Sequence, residues 1–284
     1  MSSQMSESNN DMREFWNGIG GHKWINYQKI LNSSLETFGR EAMIVAKATS
    51  CDHVLDIGCG CGDTSIEIAR KVGPKGKVTG IDVSEVILNQ AQEHALTMTN
   101  LNFECVDAQY YDFDPQVCDL AYSRFGVMFF DDPGAALGNI RKALKPGGRM
   151  VFVCWQPVKN NQWINLPLDI AAKFLAPPPP SGPEVPGPFS FGETKRITEI
   201  LEIAGFNSIS ISPYNAKFNL GKNSIEAADF ISSIGPSSYL MDNPDTDEIT
   251  KTNFINDLRQ TLALHETRNG IDLNAATWIV SAFN

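Results

Sequence analysis

The chain has 284 residues, 42% of them hydrophobic, and a formal net charge of −10. That length supports one full α/β domain carrying insertions. The basic residues form only two loose groups, Lys71, Lys75, Lys77 and Arg141, Lys142, Lys145, so there is no basic stripe for a phosphate backbone and no nucleic-acid partner is expected. No run approaches the roughly 18 consecutive apolar residues of a membrane span, which argues against stable membrane insertion. Residues 1–11, MSSQMSESNND, read as a disordered polar tail and not as a signal peptide. A soluble, cytoplasmic protein is the expectation. The six cysteines contain no CxxC pair and read as reduced thiols, and the spacing of Cys59 and Cys61 is wrong for a zinc hairpin, so no metal is expected.

Residues 12–50 are predicted to form an N-terminal helical flap of two helices parted by a turn at Gly18, Gly20 and Gly21. The flap carries Trp16, His22, Trp24 and Tyr27, which either pack the segment down or close it over a ligand. From Cys51 onward the pattern alternates strand and helix, which argues for a mostly parallel sheet with helices on both faces. His53 to Ile57 is the first strand, and the loop after it reads D-x-G-x-G-x-G, with Gly58, Gly60 and Gly62. The following helix places Ile66, Ala69 and Val72 on one face and stops at Gly73 and Pro74. Further strands are expected at Lys77–Val83, Asn102–Val106, Val117–Arg124 and Arg149–Trp155. Between them lie a helix capped by Ser84 and another capped by Asp132 with Pro133 at its first position, running to Lys145.

The rhythm breaks from Gln156 to Phe191, where nine prolines, four of them at 177–180, leave room only for a helix at Leu166–Leu175. A helix at Glu193–Ala204 and a strand at Ser208–Tyr214, resuming at Lys217–Leu220, restore it. A second, mostly helical insertion at about 221–270 precedes the last strand, Ala275–Ala282, in a main domain spanning 51–284.

The glycine loop departs from the G-x-G-x-x-G of a dinucleotide site, because Asp63 occupies the third glycine position and would oppose a pyrophosphate at that helix start. A ligand without phosphate suits it better. Asp82, about 20 residues beyond the loop at the end of the second strand, is placed to accept both hydroxyls of a ribose. Asp107, with Ala108 and Gln109 after it, is placed to meet the exocyclic amine of an adenine; each acid alone would read as a loop cap.

Taken together, VLDIGCGCGDTSIEIA, GIDVSEVIL, ECVDAQ, DLAYSRFGVMFFDDP and LKPGGRMVFVCW resemble the successive motifs of the class I S-adenosylmethionine-dependent methyltransferases. Within them the chain is most similar to the quinone-biosynthesis methyltransferase-like small-molecule branch, densely from Trp16 to Trp155 and loosely beyond. The resemblance implies a Rossmann-like doubly wound, seven-stranded, mostly parallel α/β sheet of order 3-2-1-4-5-7-6, with the last strand antiparallel and helical lid insertions. It implies S-adenosyl-L-methionine as cofactor. Asp56, Gly58, Cys59, Gly60, Gly62, Asp63 and Thr64 would form the methionyl loop, Asp82 and Val83 would meet ribose and adenine, and Asp107, Ala108 and Gln109 would frame the adenine. Ser123, Arg124 and Phe125 would contact the methionyl amine or the substrate.

The reaction so implied is methyl transfer to a small-molecule acceptor at O, N or C, assisted by alignment and desolvation. His22 is the candidate base and Arg124 the candidate for orienting an anionic acceptor. Asp131 and Asp132 match the carboxylates of catechol-type metal sites, but a helix cap explains Asp132 more simply. Phe174, Phe189, Phe191, Phe230 and Tyr239 in the insertions point either to an apolar or aromatic acceptor or to ordinary lid packing. Neither an N/D-P-P-Y/F signature nor a Pro-Cys nucleophile is present. The rival readings are a cofactor-binding protein without turnover and a nicotinamide-dependent oxidoreductase.

Overall fold

The computed structural model describes residues 10–178, 182 and 184–284; the first nine residues of the expected tail and part of the four-proline run lie outside them. A mixed sheet has the order β3-β2-β1-β4-β5-β8-β6. Its strands are β1 (His53–Ile57), β2 (Lys77–Asp82), β3 (Leu101–Cys105), β4 (Cys118–Arg124), β5 (Leu144–Trp155), β6 (Asn207–Asn219), the stub β7 (Glu266–Thr267) and β8 (Gly270–Phe283). The strands from β3 to β5 pair in parallel, and β8 runs antiparallel between β5 and β6. The expected order therefore holds for the long strands. The count differs by the two-residue β7, which hairpins onto the start of β8 and carries no apolar pattern to announce it.

The helices are α1 (Asn10–Asn17), α2 (Ile19–Asn26), α3 (Gln28–Ala46), α4 (Asp63–Val72), α5 (Glu85–His94), α6 (Pro133–Ala143), α7 (Gln162–Ala171), α8 (Thr194–Ile203), α9 (Ser224–Ser233), α10 (Tyr239–Asp242) and α11 (Glu248–Ala263). α4 buries Ile68, Ala69 and Val72, with Ile66 only half-buried. Ser84 caps α5 by accepting from Ile87 N, and Asp132 caps α6 by accepting from Ala135 N at 2.9 Å. These two caps are as the sequence predicts.

Several expectations are corrected. The N-terminal segment holds three helices, and α1 begins two residues inside the expected tail. Gly20 and Gly21 are not a turn but lie within α2, because a side chain at either would overlap the ring of Phe15 or the carbonyl of Trp16 on α1. α3 is a core helix instead of part of a flap, burying Leu31, Leu35, Phe38, Ala42 and Met43 against the sheet. β5 starts at Leu144, since the Lys145–Gly148 segment bulges between the pairs Cys118–Leu144 and Leu120–Arg149 and rejoins the strand. β6 runs unbroken through Pro213, which an edge strand tolerates because its outer N–H has no partner to lose. α7 starts at Gln162 and holds Pro167 within it.

Asn161 joins the first insertion to the sheet. It is fully buried, its Nδ2 donates to the Gln156 carbonyl at 3.0 Å, and its Oδ1 accepts from Ala276 N at 2.9 Å and Trp163 Nε1 at 3.2 Å. Asn161→Ala would orphan several buried polar groups, each worth about 1–3 kcal/mol. The expected result is a loss of at least about 2 kcal/mol of unfolding free energy in urea titration; a variant as stable as the parent would contradict this network.

Candidate active site

The chain leaves β1 toward β2 and β3 on one side and returns to β4 on the other, so the carboxyl ends of β1, β2 and β4 frame a topological switch point. Strand ends of this kind leave a crevice that no crossover helix fills. Here the crevice is a cavity of about 470 Å³. Gly58 and Gly60 form part of its wall with φ of +64° and +55°, a conformation that favours glycine. A Cβ on Gly58 would come within 2.9 Å of the Gly126 Cα, so the two loops touch backbone to backbone. Ser123 locks that crossing: its Oγ donates to the Ile57 carbonyl at 2.8 Å and accepts from Gly126 N at 3.2 Å.

Asp82 stands at the end of β2. Its Oδ2 accepts from Gly60 N at 2.9 Å and its Oδ1 from Ser84 N at 3.0 Å, so one carboxylate ties the glycine loop to the start of α5 and still opens on the cavity. Burial raises its pKa, opposed by the backbone donors of Ser84, Gly60 and Val83. Val83, Val106 and Ala108 continue the wall as an apolar surface. Arg124 lines the cavity from β4, and its Nη1 donates to Asn32 Oδ1 at 3.1 Å. Among the described residues no carboxylate bridges it, so it is a half-buried cation held by a neutral amide. Phe125, left-handed at φ +61°, stacks on Trp155 at 4.3 Å and 24°.

Several expected ligand residues do not line the cavity. Asp56 is buried beneath the loop, accepting from Ser65 Oγ at 2.6 Å. Cys59 turns the other way, against Leu88, Ala91 and Phe103, and Gly62 packs on the same Phe103 and Ala91. Asp63 accepts from Gln28 Nε2 and Asn32 Nδ2 at 3.1 and 3.3 Å, which fixes α3 to the head of α4, and Thr64 is buried beside it. Asp107 accepts from Gln109 N at 2.9 Å as a turn cap. Gln109 spends its own amide on Tyr110 Oη and Asp132 N, and Ser123 is consumed by the loop crossing. Burial raises the Cys59 thiol well above its ordinary range and pushes Cys61 up to about 12, so neither is a nucleophile at neutral pH.

His22 is corrected more sharply. Because Gly20 and Gly21 are helical, α2 turns Gly20, Lys23 and Trp24 toward the cavity and leaves His22 exposed on another face. Trp16 and Trp24 do line the cavity, in edge contact at 5.7 Å, with Trp16 also against Phe129 at 5.2 Å. Tyr27 stands one layer back, its hydroxyl 3.0 Å from both Asp229 Oδ2 and Ser233 Oγ.

The far half of the cavity is aromatic, and of the two readings open for the insertion rings the structure shows lid packing. Its lining includes Trp155, Trp163 and Phe218, with Trp163 stacked on Phe218 at 4.3 Å and 14°. None of Phe174, Phe189, Phe191, Phe230 and Tyr239 lines it: Phe174 meets Phe254, Phe191 meets Phe152, Phe230 backs Phe218, and Tyr239 donates to the Leu175 carbonyl. Trp155 carried a usable signal, since it ends a strand at the ligand-binding edge of the sheet; Trp163 and Phe218 carried none. Lys23 and Asp242 also line the cavity and pair at 2.7 Å, linking α2 to α10.

Burial raises the Asp56 carboxyl to about 7, with the Ser65 hydroxyl and then the Arg124 charge pulling it down and the Asp82 charge pushing it up. An unfolded aspartate titrates near 3.9, so between about pH 4 and pH 7 the folded chain holds a proton that the unfolded chain has released. Stability contributed by this group is full below pH 4, falls as pH rises through 7, and is level above. Asp56→Asn, which stays neutral, should lose less of its urea midpoint between pH 5 and 8 than the parent loses. Parallel pH profiles would contradict the assignment.

Comparison with known proteins adds family to geometry. Residues 54–148 match the family described as methyltransferase domain. Demethylmenaquinone methyltransferase of Staphylococcus aureus is 38% identical over 97 residues; the match covers 34% of this chain and 40% of that protein, so the chain spans well under half the length of this curated relative. Phosphoethanolamine N-methyltransferase 2 of Haemonchus contortus, solved with phosphomonomethylethanolamine and S-adenosylhomocysteine, aligns with 98% of this chain and 60% of its own at a TM-score of 0.58 and 16% identity. The YcgJ protein of Bacillus subtilis aligns with 89% of this chain and 98% of its own at a TM-score of 0.57 and 15% identity. Both likenesses are of fold.

Proposed function

We propose that this chain, a class I S-adenosylmethionine-dependent methyltransferase by the domain at residues 54–148 and by its fold, transfers a methyl group to a small apolar or aromatic acceptor enclosed in the far half of the cavity. The observation that carries this reading is the continuity of one cavity from Asp82 and Val83, past Gly58 and Gly60, to Trp155, Trp163 and Phe218. Its two ends differ in chemistry as a cofactor and an apolar acceptor differ.

The residues present fit the cofactor. Asp82 keeps acceptor capacity beyond its two backbone donors, which suits a pair of ribose hydroxyls. Val83, Val106 and Ala108 offer a flat apolar bed for a purine, and Gly58 and Gly60 leave main chain bare beside it. Arg124 has donors only, which suits a carboxylate or an anionic acceptor atom and not the methionyl amine. When bound, the cofactor supplies a methyl carbon already activated by a sulfonium, so alignment within a dry chamber can account for much of the rate. The aromatic walls exclude water and hold a flat acceptor against the loop. His22 has no part in this arrangement. A reducing, cytoplasmic setting belongs to the same proposal and agrees with six unpaired cysteines.

Incubation with methyl-labelled S-adenosylmethionine and a metabolite extract should move label into a small-molecule fraction, identified by mass spectrometry. Binding without transfer to any fraction would favour the rival without turnover. Asp82→Ala should weaken S-adenosylmethionine binding at least about tenfold by calorimetry, because the ribose loses a charged acceptor and the Gly60 loop loses its anchor. Unchanged affinity would remove Asp82 from the ribose.

A further inference from the structure

We propose that the acceptor is an apolar carboxylic acid, held as its carboxylate by Arg124 and methylated on a carboxylate oxygen without a general base. This deepens the methyltransferase reading and rests on it. Among the described residues, the titratable side chains that line the cavity are Lys23, Asp82, Arg124 and Asp242. Lys23 Nζ donates to both oxygens of Asp242 at 2.7 and 2.9 Å, and both oxygens of Asp82 accept from backbone amides. The hydroxyls in the lining, Ser233 and Ser238, are not bases at neutral pH, and Ser233 Oγ already accepts from Tyr27 Oη at 3.0 Å. The lining therefore has no group free to take a proton from a phenol or an ammonium acceptor.

Arg124 supplies what a base-free site needs, a fixed positive charge. Its Nη1 donates to Asn32 Oδ1, and Asn32 Nδ2 donates to Asp63, so a neutral amide stands between the guanidinium and that carboxylate. Its Cδ passes over Gly39, where a Cβ would stand 2.9 Å away. β4 lies between β1, whose loop carries Gly58 and Gly60, and β5, which ends in Trp155. Arg124, closing β4, thus stands where the glycine-loop end of the cavity meets the aromatic half, the boundary that the methyl group must cross.

Charge balance points the same way. Asp82 and Arg124 cancel, as do Lys23 and Asp242, so the lining is neutral in sum. S-adenosylmethionine brings one net positive charge, its sulfonium and ammonium set against one carboxylate. Between walls such as Trp155, Trp163 and Phe218 an uncompensated charge is costly, and an anionic acceptor cancels it where a neutral or cationic one does not. A carboxylate is that anion at neutral pH, and its plane matches the guanidinium fork. One carboxylate oxygen attacks the methyl carbon; the O–CH3 bond forms as the methyl–sulfur bond breaks with its electron pair going to sulfur, and no proton moves.

The test begins with binding alone. By calorimetry on the protein without cofactor, 1-naphthoate should bind at least about tenfold more tightly than its neutral isostere 1-naphthamide. Arg124→Gln should abolish that preference, and Arg124→Lys, which keeps the charge, should retain part of it. Equal binding of the two compounds by the parent would overturn the proposal. So would an Arg124→Gln variant that loses affinity for S-adenosylmethionine yet keeps the preference, since the guanidinium would then serve the cofactor. In turnover, 1-naphthoate should yield its methyl ester at a rate level from about pH 6 to 9, because no base titrates. Under the same conditions 1-naphthol and 1-naphthylmethylamine should be methylated at least about tenfold more slowly. Faster methylation of either, or cofactor binding with no ester formed, would overturn the proposal. Failure to bind S-adenosylmethionine would instead remove the methyltransferase reading while leaving the naphthoate preference standing.

Discussion

The Asp82 carboxylate is the interaction on which the site depends. It is held at the end of β2 by the parallel pairing of β1 and β2, and it accepts from the Gly60 and Ser84 amides at once. One side chain thereby joins the loop after β1 to the helix after β2 across the switch point. The same loop is pressed from the other side by Gly126, with Ser123 clamping the crossing. Between these two constraints the glycine loop has one path, and the cavity is the space left beside it. A buried carboxylate held by two backbone donors keeps one position without rearrangement, which is the form of preorganisation that binding rewards.

The sheet and the glycine-loop end of the cavity were legible because they are written in short-range pattern. Apolar runs of five to seven residues end in Gly58, Asp82 and Arg124, and helical spacing between them dictates parallel crossovers. What the pattern cannot say is which way a loop residue turns. Asp56, Cys59, Asp63, Asp107 and Gln109 all belong to the motifs singled out, yet each has its polar atoms or its bulk committed elsewhere by neighbours 9 to 44 positions away or by its own turn. His22 failed for a related reason. Glycine read as turn chemistry was serving close helix packing, and a helical turn carries its residues around the axis at about 100° per step.

The aromatic half of the cavity was not legible, because none of its walls is local. Trp155 closes β5, Trp163 opens α7, Phe218 ends the edge strand and Ser233 ends α9, and only the return of β8 between β5 and β6 brings them together. Composition marked the insertions as aromatic and lid-like. The rings that composition picked out turned out to hold the lids in place, and the rings that meet the cavity came from the sheet.

The contacts that join α2 to the second insertion are on a different scale of energy from the core. Lys23 and Asp242, both in the cavity lining, pair across it, and Tyr27 reaches from the end of α2 to Asp229 and Ser233 on α9. Partly exposed ion pairs and hydrogen bonds of this kind contribute roughly 0–1 kcal/mol each, whereas the core under α3 buries whole Leu and Phe side chains at about 1.5–3 kcal/mol each. Parting α2 from the insertion therefore disturbs only weak contacts while α3 and the sheet stay packed. The cavity is thus bounded on one side by firmly packed core and on another by contacts that are individually weak.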